Sequence, residues 1–282
     1  LKTAKSIISG QSTFLKDPRW KTVPWEDDPT SKLPIDYLVD IGADIAECIA
    51  KIKAFNDSSA SLLHCQVISE YTALKSQVAS SIEELNMWWC RWEVSNANCA
   101  IEIAPSSPDK TPFVTLLQFD SLWQAFTVST YAAMRILLLQ LWHYLLQHAP
   151  PSLPLDIDFV MNPEEVVLDV PNTSPLLGIT ASTQALAAEI LRTFSYCYGC
   201  TSRFVTTVSF LFIQDVAYGC FPPESEEAKW AARHGWADFL HNSRGSDVRD
   251  ENLLNRLVPL GQTNIEGLVL GTVGEPLGFG SL

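Results

Sequence analysis

Residues 119–148 read FDSLWQAFTVSTYAAMRILLLQLWHYLLQH, and this stretch decides the fold. Leu122, Trp123, Phe126, Met134, Leu137, Leu138, Leu141, Trp142, Leu145 and Leu146 recur at intervals of three and four, the spacing of one broad helix face. No proline interrupts the pattern until Pro150 and Pro151, which impose a stop. Between Ile136 and Leu146 only Gln140 and His143 are polar, so this half must be covered on most sides. The stretch therefore predicts the central post of an all-α, multi-helix domain packed around one long buried helix. It does not read as a membrane span. The uninterrupted apolar run is about half of the roughly 20 residues a bilayer needs, and Arg135 stands at its start. A second apolar run, 204–213, is shorter and meets Gln214 and Asp215.

The chain has 282 residues, enough to bury a large core in one domain or two closely packed layers. A net charge of -13 argues against this piece gripping nucleic acid by itself, because phosphate contacts need clustered Lys and Arg. The acidity suits solubility or a basic partner. Seven scattered cysteines (Cys48, Cys65, Cys90, Cys99, Cys197, Cys200 and Cys220) fit free thiols in a reducing, intracellular compartment better than a secreted disulfide framework. Only Cys197 and Cys200 form a C-x-x-C, and no second pair completes a four-ligand zinc site. They read as buried thiols near a helix end. Beginning at Leu1, the sequence reads as a piece of a longer chain, with no signal-peptide pattern at this end.

Outward from the post, helices are expected over 35–55, with Pro34 in the opening turn and Tyr37, Leu38, Ile41, Ile45, Ile49 and Ile52 on one face. A long helix, or two, is expected over 62–92, with Cys65, Ile68, Leu74, Val78, Ile82, Leu85 and Trp89 on its stripe. Residues 96–115 read as a loop. Residues 150–175 carry prolines and acids and form an irregular connection, so 150–178 marks a boundary between two helical layers. Helices follow over 180–197, 202–220 (after a break at Tyr198 and Gly199), 224–240 and 247–257. The main helical domain spans 34–260, and 261–282 is a glycine-rich tail. Residues 1–33 are expected to be extended and to dock on the helical body. The first 13 lack a pattern, whereas Trp20 and Trp25, with Pro18 and Pro24, make a stiff segment whose rings need a surface to dock on.

Motifs for phosphate loops, dinucleotide folds, nucleophile elbows and helical zinc sites are missing. The five histidines never take the i, i+4 spacing of a helical metal pair, and Glu26, Asp27 and Asp28 lie in a proline-flanked segment rather than on facing helices. The expectation is a non-enzyme with no catalytic residue, no metal site and no cofactor. The densest aromatic cluster is Met87-Trp88-Trp89-Cys90-Arg91-Trp92. Trp88, Trp89, Trp92, Phe126, Trp142 and Phe194 are the candidate walls of a pocket for an apolar small molecule, the alternative for each being simple core packing.

Several stretches carry a family resemblance. Residues 14–26 (FLKDPRWKTVPWE) look like a Pro-x-Trp followed by Pro-Trp; residues 38–45 look like the first helix, and 119–141 the long central helix, of one family. Residues 190–196 (ILRTFSY) look like a recurring Ile-Cys-Arg-Ser-x-x-Tyr, and Val216-Ala217-Tyr218 with Trp230 beyond match a later helix pair. Together, from about Phe14 to Leu240, the chain resembles the C-terminal regulatory domain of fungal zinc-cluster (six-cysteine binuclear) transcription factors. Leu191 stands where a cysteine is common in that family and Asp215 where a basic residue is usual; the zinc cluster itself lies outside these residues. The resemblance implies a nuclear protein that meets DNA only through that separate module. This chain would then control transcription by binding an apolar effector, transcriptional co-regulators or a second copy of itself. The other reading is an interaction scaffold descended from such a regulator, without a pocket.

Overall fold

The computed structural model describes residues 2–59, 63–107, 110–150, 174–200 and 203–233. They are mostly helical, with helices packed around a largely buried central one, as the apolar spacing requires. In chain order come α1 (Lys2–Ser9), α2 (Pro18–Thr22), α3 (Pro34–Ser58), α4 (His64–Asn96), β1 (Ala100–Ile103), β2 (Leu116–Phe119), α5 (Leu122–Gln147), α6 (Thr183–Cys200), α7 (Arg203–Tyr218) and α8 (Glu226–Arg233). The expected helix over 247–257, the tail over 261–282 and most of the 150–175 connection lie outside the described residues.

Local chemistry sets the helix starts. Pro34 occupies the first turn of α3 and Asp36 Oδ2 accepts the Leu33 amide at 2.8 Å, satisfying a backbone donor that a bare helix end would leave free. Gln66 Oε1 does the same for the Leu63 amide at the head of α4, at 3.1 Å. Ser121 caps α5 by accepting the Gln124 amide at 3.2 Å.

Helix α5 packs against α3, α4, α6, α7 and β2. Every residue of 127–138 is buried. The deepest part of the post is thus its middle, where Ser129, Ala132 and Ala133 let neighbours approach closely, rather than the apolar C-terminal half. Thr127 and Thr130 bury their hydroxyls by donating to the Trp123 and Phe126 carbonyls at 2.9 and 2.7 Å. By length and hydropathy α5 could cross a bilayer, yet most of it is buried against this protein's own helices. From α3 the core takes Leu38, Ile41, Ile45, Cys48, Ile49 and Ile52, and from α4 Leu74, Val78, Ile82 and Leu85. Tyr37 and Cys65, placed on those stripes by spacing, are exposed instead.

Three local expectations are corrected. Residues 96–115 are not wholly loop, because β1 pairs antiparallel with β2, Ala100 opposite Phe119 and Ile103 opposite Leu116. Four-residue strands are too short for alternation to stand out. Helix α6 continues through Tyr198 and Gly199 to Cys200, a glycine inside a helix costing only about 1 kcal/mol.

The third correction concerns the expected extended segment 1–33, whose described residues, 2–33, are wound into short helices and turns. Helix α1 buries Ile7 and packs against α3, and 3-10 turns span Phe14–Lys16, Val23–Trp25 and Pro29–Ser31. Beyond α1, three lysines tie the segment to α3, while Phe14 and Trp20 stay about half exposed. Lys16 pairs with Glu47 at 2.8 Å, Lys21 with Asp44 at 2.7 Å and Lys32 with Asp40 at 2.5 Å. Asp40, Asp44 and Glu47 are spaced to lie on one helix face, and their partners follow in reverse order along the chain. The segment therefore runs back along α3 as a strap.

Candidate functional site

The six rings singled out from sequence fall into three groups. Trp88 and Trp92 of α4 stack with centroids 5.5 Å apart and planes 9° from parallel. Trp88 also stacks on Tyr131 of α5 at 5.5 Å, and Trp89 lies 4.5 Å from the same tyrosine ring. Phe126 of α5 and Phe194 of α6 instead meet across Phe210 of α7, at 5.2 and 5.9 Å. Trp142, three turns beyond Tyr131, is half-buried with the Lys75 ammonium 5.6 Å from its ring centroid. Phe126 and Tyr131 are five residues apart, about 140° around the helix, so the first two groups lie on different sides of α5.

Polar groups buried between these aromatic layers were not foreseen. Arg135 of α5 is buried and donates through Nη1 to Asn86 Oδ1 of α4 at 2.5 Å and through Nη2 to the Ile179 carbonyl. Glu189 of α6 is buried and accepts the Leu177 amide through Oε2 at 2.7 Å. Trp89 presses its indole against Gly178 between them. Three helices thus clamp the 3-10 turn Gly178–Thr180 that leads the chain into α6. Burial pushes the Glu189 carboxyl up to about 7, against the opposing pull of the Leu177 amide and the Arg192 guanidinium. Burial also raises the Tyr131 hydroxyl, with Arg135 opposing.

A second polar layer lies where α5, α6 and α7 meet. The Phe126–Phe210 contact and the 3.7 Å bond from Gln140 Nε2 to Cys220 Sγ set α7 parallel to α5. Gln214 and Ser129 therefore stand at similar heights, each about one turn beyond the Phe126–Phe210 contact. Among the described residues, both amide atoms of Gln214, Ser129 Oγ, Gln140 Oε1 and Glu189 Oε1 are buried with no hydrogen-bond partner. Each such group costs about 1–3 kcal/mol relative to a satisfied one.

Sequence signals for these residues existed. Arg135 interrupts an apolar run, Glu189 sits three residues before Arg192, and Gln214 ends the apolar segment 204–213. What spacing does not carry is which residues of separate helices meet. Among the described residues no group of three or more His, Cys, Asp or Glu could hold a metal ion. Burial pushes the Cys48 and Cys220 thiols up to about 12 and that of Cys99 to about 11. They are protonated at neutral pH and poor nucleophiles.

The fold and its interior define an all-α protein with unpartnered polar groups inside an apolar helical core. Comparison with protein-family models, curated proteins and solved structures finds no match for this chain.

Proposed function

We propose that this chain is a regulatory domain of a fungal transcription factor of the zinc-cluster class, a non-enzyme that acts in the nucleus and meets DNA only through a module outside these residues. It binds a largely apolar molecule carrying one or two hydrogen-bonding groups, and binding shifts the balance between arrangements of α5, α6 and α7. The observation that carries this reading is the buried Gln214 side chain with neither amide atom engaged. A ligand hydroxyl or carbonyl that paired with it would remove a penalty present in the free protein. The order of motifs from Phe14 to Trp230 supports the same assignment.

Two measurements test it. Tethered to an unrelated DNA-binding module, the chain changes transcription of a reporter gene; an inert tether sinks the reading. A thermal-shift panel of sterols, long-chain alcohols and aromatic ketones yields at least one compound that raises the melting temperature, and Gln214→Leu abolishes that rise. No shift with any compound, alongside an active tether, would favour the scaffold reading, in which co-regulators dock without a pocket. The exposed rings of the N-terminal strap are the observation that favours that second reading.

A further inference from the structure

From 14 to 33 the chain has no buried residue. Leu15 and Trp25 are half-buried, while Phe14, Trp20 and Val23 are exposed. The backbone hydrogen bonds of 14–31 close only local turns, such as the Asp17 amide to the Phe14 carbonyl and the Ser31 amide to the Asp28 carbonyl. Its hold on the helical body is carried chiefly by charge. Lys16, Lys21 and Lys32 pair with Glu47, Asp44 and Asp40 of α3, and the Lys2 ammonium of α1 lies 4.9 Å from the Phe14 ring centroid. The two ends of the strap are fixed differently. On one side Ile7 and Thr13 are buried, and on the other the Pro34 carbonyl accepts Trp88 Nε1 of α4 at 2.8 Å.

The three ion pairs are not equal. The lysine side chains are 10% exposed at Lys32, 27% at Lys21 and 46% at Lys16. Lys32 also donates to the Lys21 carbonyl at 3.2 Å. Salt screens exposed charges well and shielded ones poorly, so the hold is firm at Lys32 and slackens towards Lys16. The carboxylates beneath crowd one another. Partial desolvation raises the Glu84 carboxyl of α4; Asp44 and Asp40 add to that, and Lys21 and Lys32 oppose it. Asp40, Asp44, Glu47 and Glu84 thus form a negative face that the lysines of the strap neutralise.

We propose that residues 14–25 form a charge-held latch over this acidic face, one that lifts between its fixed ends when Lys16 and Lys21 are screened or neutralised and so uncovers Asp44, Glu47 and Glu84. Exposed ion pairs hold weakly and yield to salt, and no residue of 14–25 is buried in the core, so the helices keep their packing when the latch lifts. No residue of α5, α6 or α7 takes part. Failure of the latch therefore leaves the effector reading intact, and the reverse also holds.

Hydrogen exchange of the full chain, read by mass spectrometry, tests this. Raising sodium chloride from about 0.01 to about 1 M shortens the Debye length from about 30 to about 3 Å. Amides of 14–25 should then exchange at least about threefold faster, while those of α5 keep their rates. At low salt, Asp44→Asn with Glu47→Gln should speed the same amides as much, and salt should then add little. Lys16→Gln with Lys21→Gln should do likewise, a second pair that leaves α3 itself unchanged. Circular dichroism of each variant should match the parent chain. Exchange of 14–25 that ignores both salt and the substitutions would overturn the proposal. So would equal acceleration of 14–25 and α5, which would mean that strap and core open as one. A salt response undiminished in both double variants would overturn it too, since other charges would then hold the segment.

Discussion

A Cβ placed on Gly178 would lie 2.7 Å from Trp89 Nε1, so the turn into α6 rests directly on an indole of α4. Gly178 also has a φ of 59°, a conformation that costs an L side chain about 1–2 kcal/mol. Gly178→Ala adds overpacking against a ring held by Tyr131, about 1–3 kcal/mol more. Urea unfolding should show a loss of about 2–5 kcal/mol. A shift within error would mean that the turn is not seated on Trp89.

Arg135 binds the same turn from α5, and its two arms reach Asn86 and Ile179 in different directions. Lys has one ammonium and cannot span both acceptors. Arg135→Lys and Arg135→Met should therefore be similarly harmful, each costing about 3 kcal/mol. Full retention of stability in the Lys variant would remove the clamp from consideration.

Stability should depend on pH through Glu189. Its carboxyl titrates near 4.5 when unfolded and at about 7 when folded, so the folded protein holds a proton that the unfolded chain has lost. The resulting stabilisation is complete below the unfolded value and is lost as pH rises towards about 7. The shift corresponds to about 3 kcal/mol. Urea midpoints measured from pH 5 to 8 should fall more steeply for the parent than for Glu189→Gln, whose amide does not titrate. Parallel profiles would show that the residue is not buried as described.

The strap offers a double-mutant cycle. Lys32 and Asp40 are 2.5 Å apart and mostly shielded, and desolvation raises the Asp40 carboxyl despite the lysine. Lys32→Met alone leaves that carboxylate without its cation and should cost about 2 kcal/mol. Adding Asp40→Asn should recover a good part of the loss. Simple additivity of the two changes would place the pair outside the forces that hold the strap.

Gln214→Leu replaces an unsatisfied buried amide with an apolar side chain of similar volume. In the free protein it should raise stability by about 1–2 kcal/mol, read as a higher urea midpoint at unchanged slope. A loss instead would reveal that the amide already has partners.

How much of this was legible in the sequence depended on length. Helices α3, α4, α5 and α6 are long enough for the three-and-four spacing of residues such as Ile41, Ile45, Leu74, Val78, Leu137 and Leu141 to exceed chance. Helix α1 has eight residues and Ile7 as its deep apolar contact, and the strands have four each, so tertiary packing decides them. The rings of the strap were visible as rings, but their direction was not. That direction follows from lysines finding Asp40, Asp44 and Glu47 on another element. The aromatic layers were partly legible, since Trp88, Trp89 and Trp92 cluster in sequence, but Tyr131 and Phe210 join them only through contacts between helices. The same holds for Arg135, Glu189 and Gln214, whose significance lies in which groups they reach or fail to reach.

The mid-chain position of α5 bears on how the protein is made. On a ribosome α3 and α4 emerge first, with Leu38, Ile41, Ile45, Val78 and Leu85 awaiting the element that seals them. At about 5–20 residues per second, translation from Ser58 to Gln147 takes on the order of 5–20 s, and α6 and α7 follow later still. A nascent chain in that interval presents a bare oily cleft, so its yield in cells should depend on chaperones that attend synthesis.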